Sequence, residues 1–154
     1  MVRPLPLTSR GPDATRAIGV RLAALLRPGD LVVLTGPLGA GKTALVQGIG
    51  VGLGVVGAVT SPTFVLARVH PGPVPLVHVD AYRLREAGSP RFALDDLDLD
   101  TSLPDSVTVV EWGEGLAEDL AEARLDVRLA RYAGAPEDQR LITVRPVGAR
   151  WAVA

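Results

Sequence analysis

The chain has 154 residues, a formal net charge of −1 and no cysteine. That length suits one domain burying roughly 70% of its unfolded surface, and the near-neutral balance supplies no overall field for drawing in nucleic acid or anionic lipid. Disulfides and thiolate metal sites are excluded, no apolar run approaches the ~18 residues of a membrane span, and Met1-Val2-Arg3-Pro4-Leu5-Pro6 lacks the apolar core of a secretion signal, so the expected location is cytoplasmic.

In chain order, a short strand is expected around Leu5 to Thr8, followed by a helix whose apolar face is Ile18, Leu22, Leu25 and Leu26, with Arg16, Arg21 and Arg27 off that face. Pro28-Gly29-Asp30 ends this helix and turns the chain into the apolar run Leu31-Val32-Val33-Leu34, which reads as a buried parallel strand. A second helix is expected over Ala44 to Leu53, with Gly50, Gly52, Gly54 and Gly57 marking its exit. Phe64 to Val69 and Val74 to Val79 read as a strand pair around the Pro71-Gly72-Pro73 turn. The acidic stretch Asp95 to Asp100 reads as a solvated loop or helix end. Ser106 to Val110 is a further buried strand, Glu114 to Ala123 is read as helical, and Leu125 to Leu129 with Leu141 to Val144 form a closing strand pair.

Between the first buried strand and the second helix lies Gly36-Pro37-Leu38-Gly39-Ala40-Gly41-Lys42-Thr43, a complete GxxxxGK[ST] phosphate-binding loop in the strand-to-helix context such a loop requires. Lys42 is the only lysine among the 16 lysines and arginines of the chain. An ammonium is a compact point charge that can slip between the β- and γ-phosphates of a nucleotide, where a planar guanidinium cannot. Glycines at 36, 39 and 41 let backbone N–H groups converge on phosphate oxygens, and the helix start near Lys42 adds its positive dipole end. Thr43 offers a hydroxyl to Mg²⁺. A nucleoside triphosphate is the expected ligand.

A second metal-directed carboxylate has two candidates. Leu76-Val77-His78-Val79-Asp80 and Val107-Thr108-Val109-Val110-Glu111 each end a mostly apolar strand in an acid, and open α/β sheets bind ligands beyond the carboxyl ends of their strands. If both strands share the sheet of the phosphate loop, both carboxylates can approach the metal and the attacking water. Capping of the following turn is the plainer account of each.

Taken with the loop, three further segments in order, Ser61-Pro62-Thr63-Phe64, His78-Val79-Asp80-Ala81-Tyr82-Arg83-Leu84 and Glu111-Trp112, resemble the TsaE (YjeE) family, bacterial ATPases of tRNA threonylcarbamoyladenosine biosynthesis. The resemblance spans essentially the whole chain. It implies an α/β fold, a single P-loop NTPase-like domain over residues 1–154 with a central mostly parallel sheet flanked by helices and some antiparallel strands. It also implies ATP and Mg²⁺ as cofactors and the TsaD–TsaB heterodimer as partner, with tRNA met only indirectly through that complex.

Carried over residue by residue, the resemblance makes Lys42, Asp80 and Glu111 catalytic, Asp80 as the water-orienting or metal-linked carboxylate. Gly36, Leu38, Gly39, Ala40, Gly41, Lys42, Thr43 and Ala44 would hold the nucleotide, with Thr63 reporting the γ-phosphate or metal from a switch-like loop and Trp112 near the base. Thr43 and Glu111 would hold the metal. Arg83 would pair with Asp80 or face a partner, His78 is equally an ordinary strand histidine, and Trp112 equally a core or partner-facing tryptophan. Departures from the family pattern are Pro37 where an acid is common, Ala44 in place of a second hydroxyl, and Gly113 where proline is common. The absent hydroxyl at 44 removes one possible α-phosphate hydrogen bond, about 1 kcal/mol.

Guanine recognition through an Asn-Lys-x-Asp segment is excluded, since the chain has no asparagine and no second lysine. Two other functional classes share the loop. A small-molecule kinase would need an arginine-bearing lid, which Arg83, Arg85 and Arg91 could imitate, and a regulatory module would bind nucleotide without turnover.

Overall fold

The computed structural model describes residues 5–37, 39–57, 59, 67–81, 99–112, 117, 120–131 and 134–151. Seven strands form one mixed sheet: β1 (Leu5–Arg10), β2 (Leu31–Thr35), β3 (Ala67–His70), β4 (Leu76–Asp80), β5 (Val107–Glu111), β6 (Arg124–Ala130) and β7 (Gln139–Val147), in the order β1-β7-β6-β2-β5-β4-β3. The four central strands β6, β2, β5 and β4 run parallel, while β3, β7 and β1 pair antiparallel. Helix α1 (Pro12–Ala23), helix α2 (Lys42–Leu53) and the one-turn α3 (Leu99–Ser102) connect them.

The strand carrying the phosphate loop is central because it can be nothing else. Leu31 to Leu34 are all buried, and a run with no polar face needs cover on both sides. On one face Val32 and Leu34 join Leu76, Val107 and Val109 beneath α1 and α2, whose Ile18, Leu22, Leu45, Val46 and Ile49 belong to the same cluster. On the other face Leu31, Val33, Val77, Val79 and Val110 pack with Leu99 and Ala117. Strand β6 alternates instead, burying Leu125, Val127 and Leu129 and leaving Asp126 and Arg128 partly or fully exposed, so only one of its sides is covered.

Helix α1 begins with Pro12 in its first turn, where a missing N–H costs nothing, and α2 ends on Gly54 in the left-handed conformation (φ 76°), whose N–H reaches back to the last turn. The two helices touch backbone to backbone. A Cβ on Gly48 would fall against the Arg16 carbonyl, and one on Gly19 against the Leu45 carbonyl, with Gly48 Cα at 2.9 Å.

The expected strands and the first two expected helices are present with shifted ends. Leu25, expected on the apolar face, is 56% exposed, because α1 stops at Ala23 and the chain has turned before residue 25. The strand pair around Pro71-Gly72-Pro73 is an antiparallel hairpin, and its expected portion over 64–66 lies outside the described residues, as do 95–98 of the acidic stretch. Residues 99–102 make α3, with Leu99 buried. The helix expected over Glu114 to Ala123 is not continued to its end. Of its described residues, Ala117 and Leu120 close a single turn (Leu120 N–H to Ala117 O, 3.0 Å), and 121–123 run without helix into β6. Ala123 is pressed beneath Gly148, and pairing to β7 begins at once with Arg124 opposite Val147.

Buried Asp30, at the turn into β2, ties the end of the described chain to its centre. Its Oδ2 accepts the Arg27 N–H (2.9 Å) and Arg150 Nη2 (3.2 Å), and its Oδ1 accepts Arg150 Nε (3.3 Å). Removing one partner of such a shielded, charge-assisted pair strands the other. Asp30→Ala is therefore expected to lower stability by about 2 kcal/mol, read as a fall in the urea midpoint at unchanged slope; an unmoved midpoint would show the cluster to be idle.

Candidate functional site

Three strand ends meet at one level of the sheet: Leu34 of β2 lies opposite Glu111 of β5, which lies opposite Asp80 of β4. Side chains alternate along a strand, so Asp80 and Glu111 point to the same face as Leu76, Val107 and Val109, the face that α2 covers. The phosphate loop leaves β2 beside them and enters α2 at Lys42. Both carboxylates found by strand-end reasoning thus sit beside the loop, and Glu111 is buried there at 5% exposure.

Gly39, Gly41, Lys42, Thr43, Asp80, Glu111 and Trp112 line one cleft of about 350 Å³. Gly39 (φ 77°) and Gly41 (φ 98°) take left-handed backbone that an L side chain would strain. Gly36 answers a different need: a Cβ there would lie 2.8 Å from the Leu129 carbonyl of β6. Lys42 Nζ donates to the carbonyls of Gly36 (2.5 Å) and Pro37 (3.0 Å) and lies 4.3 Å from the centre of the Trp112 ring, a cation–π contact. Burial pushes the pKa of Lys42 down, with Glu111 and then Asp80 opposing the shift. A phosphate in the cleft would favour the charged form that burial disfavours.

Trp112 holds φ 61°, a left-handed conformation rare for so bulky a residue. Its N–H donates to Leu34 O (2.9 Å), extending the β5–β2 pairing one step beyond Glu111, and that step swings the ring over Lys42. The indole of Trp112 thus falls at the cleft. Thr43 is exposed there, while Ala40 and Ala44 are buried behind the loop. Leu38 and Thr63 lie outside the described residues, as do Tyr82, Arg83, Arg85, Arg91 and Gly113.

Two arginines that no sequence motif singles out hold the loop from behind. Arg131, just past β6, donates Nη2 to Gly39 O (2.9 Å), and Arg140 of β7 donates Nη2 to the same oxygen at 3.3 Å. Sequence offers no signal for them, since both meet the loop only through the β2-β6-β7 order. A second, smaller cleft of about 130 Å³ opens on that side, lined by Gly11, Pro12, Thr15, Ala44 and Arg140 among others.

Among the described residues no group of three or more His, Cys, Asp or Glu could cage a metal ion. The cleft offers instead one hydroxyl, from Thr43, and the two carboxylates. So sparse a set of hard oxygens fits Mg²⁺, which keeps most of its shell as water and phosphate oxygens, and fits soft or caged ions poorly.

A central strand running into a glycine loop with a single lysine, in a parallel set whose β5 and β4 end in acids, defines a P-loop fold of the α/β class. The chain belongs to the TsaE family: residues 9–141 match the family described as Threonylcarbamoyl adenosine biosynthesis protein TsaE. It is similar to the tRNA threonylcarbamoyladenosine biosynthesis protein TsaE of Streptomyces coelicolor (61% identical, covering 90% of this chain and 95% of that one), and to that of Bacillus subtilis (38% identical, 91% and 84%). A crystal structure of Bacillus subtilis YdiB superposes with a TM-score of 0.75 at 35% identity, covering 98% of this chain and 90% of that one. Among the described residues no helix is long and apolar enough to cross a membrane.

Proposed function

We propose that this chain is a Mg²⁺-dependent ATPase that serves tRNA threonylcarbamoyladenosine biosynthesis, with hydrolysis stimulated by the TsaD–TsaB heterodimer. The observation that carries the reading is the meeting of Lys42, Thr43, Asp80 and Glu111 in one cleft at the carboxyl ends of β2, β4 and β5. Membership of the TsaE family supports the pathway and, through it, the partner.

In this reading the loop N–H groups and Lys42 hold the β- and γ-phosphates and meet the charge that grows on their oxygens as the γ-phosphoryl group transfers. Bound Mg²⁺ would neutralise the same oxygens, held by Thr43 and, directly or through water, by Glu111. Asp80 orients a water in line with the bond that breaks. The water oxygen bonds to phosphorus as the β–γ bridge opens, ADP and phosphate leave, and Asp80 can accept the water's proton. Among the described residues the arginines nearest the loop, Arg131 and Arg140, are engaged with the Gly39 carbonyl on the side away from Asp80 and Glu111. That arrangement supports a partner that completes the site.

Steady-state ATP hydrolysis with Mg²⁺ should accordingly be slow for the chain alone and rise at least ~10-fold with the heterodimer, still below the ~10³–10⁵ that a partner's arginine supplies in other P-loop enzymes. Tight ATP binding with no turnover under either condition would overturn the ATPase reading in favour of a nucleotide-bound regulatory module.

A further inference from the structure

His78 lies two residues before Asp80 on β4 and is wholly buried. It stands opposite Val109, yet its Nε2 reaches two residues along β5 to lie 2.7 Å from Oε2 of Glu111. Among the described residues its Nδ1 has no hydrogen-bond partner. Those two facts choose the tautomer. A proton on Nδ1 would bury an N–H with no acceptor, whereas a bare ring nitrogen is the cheaper omission. The ring proton therefore sits on Nε2 and is donated to the Glu111 carboxylate.

We propose that His78 is the positioning residue for Glu111 and that it divides the work of the two strand-end carboxylates. It occupies Oε2, holds the side chain in one orientation and leaves Oε1 as the oxygen for the cleft, so Glu111 is the fixed carboxylate on the metal side. Asp80, at the same level of the sheet but only half-buried, is left as the carboxylate that follows the attacking water. Mg²⁺ demands near-ideal octahedral placement, and groups that orient a metal-directed ligand are worth about 10- to 100-fold in metal affinity or activity. The inference rests on the ATP reading above.

The test is a calorimetric titration of a non-hydrolysable ATP analogue into the native chain, His78→Leu and His78→Gln, each with and without Mg²⁺, beside ¹⁵N spectra of the ligand-free protein. The native spectrum should show His78 protonated at Nε2. His78→Leu should keep its Mg²⁺-free affinity and lose the gain that Mg²⁺ brings by about 10- to 100-fold. His78→Gln, whose amide nitrogen can reach the place of Nε2, should keep that gain within a few-fold. Three results would overturn the role: an Nδ1–H tautomer, a Mg²⁺ gain untouched in His78→Leu, or an equal loss with and without Mg²⁺, which is what a merely structural histidine would give. No analogue binding by the native chain overturns the ATP reading and this role with it, and is told apart from these because it is seen before any substitution.

Discussion

Lys42→Ala is expected to lower ATP hydrolysis by about 10²–10³-fold or more, on the scale of removing one preorganised charge from a transition state, and to weaken nucleotide binding. The side chain is 7% exposed and its ammonium is held by two loop carbonyls and the face of Trp112. Among the described residues lining the cleft it is the one cationic side chain, so no neighbour can substitute for it. Lys42→Arg should fail nearly as completely. The slot between the Gly36 and Pro37 carbonyls and the indole is shaped for a point charge, and a planar fork at the end of a longer stem cannot occupy it and also reach the nucleotide. Neither change should lower the thermal midpoint much, since burial of this charge opposes its ionised form. Hydrolysis within twofold of native in Lys42→Ala, at an unchanged midpoint, would move the chemistry away from this loop.

The largest effect on stability is expected at Gly48, which faces α1 rather than the cleft. A Cβ there would lie 2.8 Å from the Arg16 carbonyl carbon and 2.9 Å from its Cα, and nearer still to the carbonyl oxygen. All three are backbone atoms and cannot rotate aside. Gly48→Ala gains about 1 kcal/mol of helix propensity, yet it must push apart α1 and α2, whose facing residues form a single cluster with the sheet. Overpacking of this kind costs about 1–3 kcal/mol even where side chains can give way. Gly48→Val is expected to exceed that range, reaching a substantial fraction of the ~5–15 kcal/mol that holds a domain together. Urea unfolding would show a midpoint falling from native to Gly48→Ala to Gly48→Val. Val51→Ala, on the same helix at a position 70% exposed, should stay within about 0.5 kcal/mol of native. Equal midpoints for all four proteins would show that α1 and α2 do not meet through glycine.

Much of the site was legible in the linear chain. Lys42 and Thr43 follow from the eight-residue loop, whose spacing is a local property of strand, turn and helix start. Asp80 and Glu111 follow from a polar residue closing an apolar strand. Their pairing at one level of the sheet could be posed from sequence only as a condition, because register is a property of two strands together. Trp112 was legible as an aromatic beside Glu111 but not as the ring over Lys42, which depends on its own left-handed backbone. Leu25 and the 121–123 segment went the other way. Apolar spacing continued past the point where the helix stopped, because Pro28-Gly29-Asp30 and the start of β6 overrode local propensity.

The elements, the phosphate loop and the family to which the chain belongs are all written in residues that are neighbours along the chain, and the order of amino acids was enough to reveal them. Which strand stands beside which is settled by packing in three dimensions. That order brings His78 to Glu111 across 33 residues, Arg131 and Arg140 to the Gly39 carbonyl across 92 and 101, and Gly19 against Gly48. Contacts so far apart in sequence carry no periodicity or spacing. They arise because burying both faces of β2 forces the rest of the chain to pack around it, and the residues that surround the site are those which that packing leaves nearest.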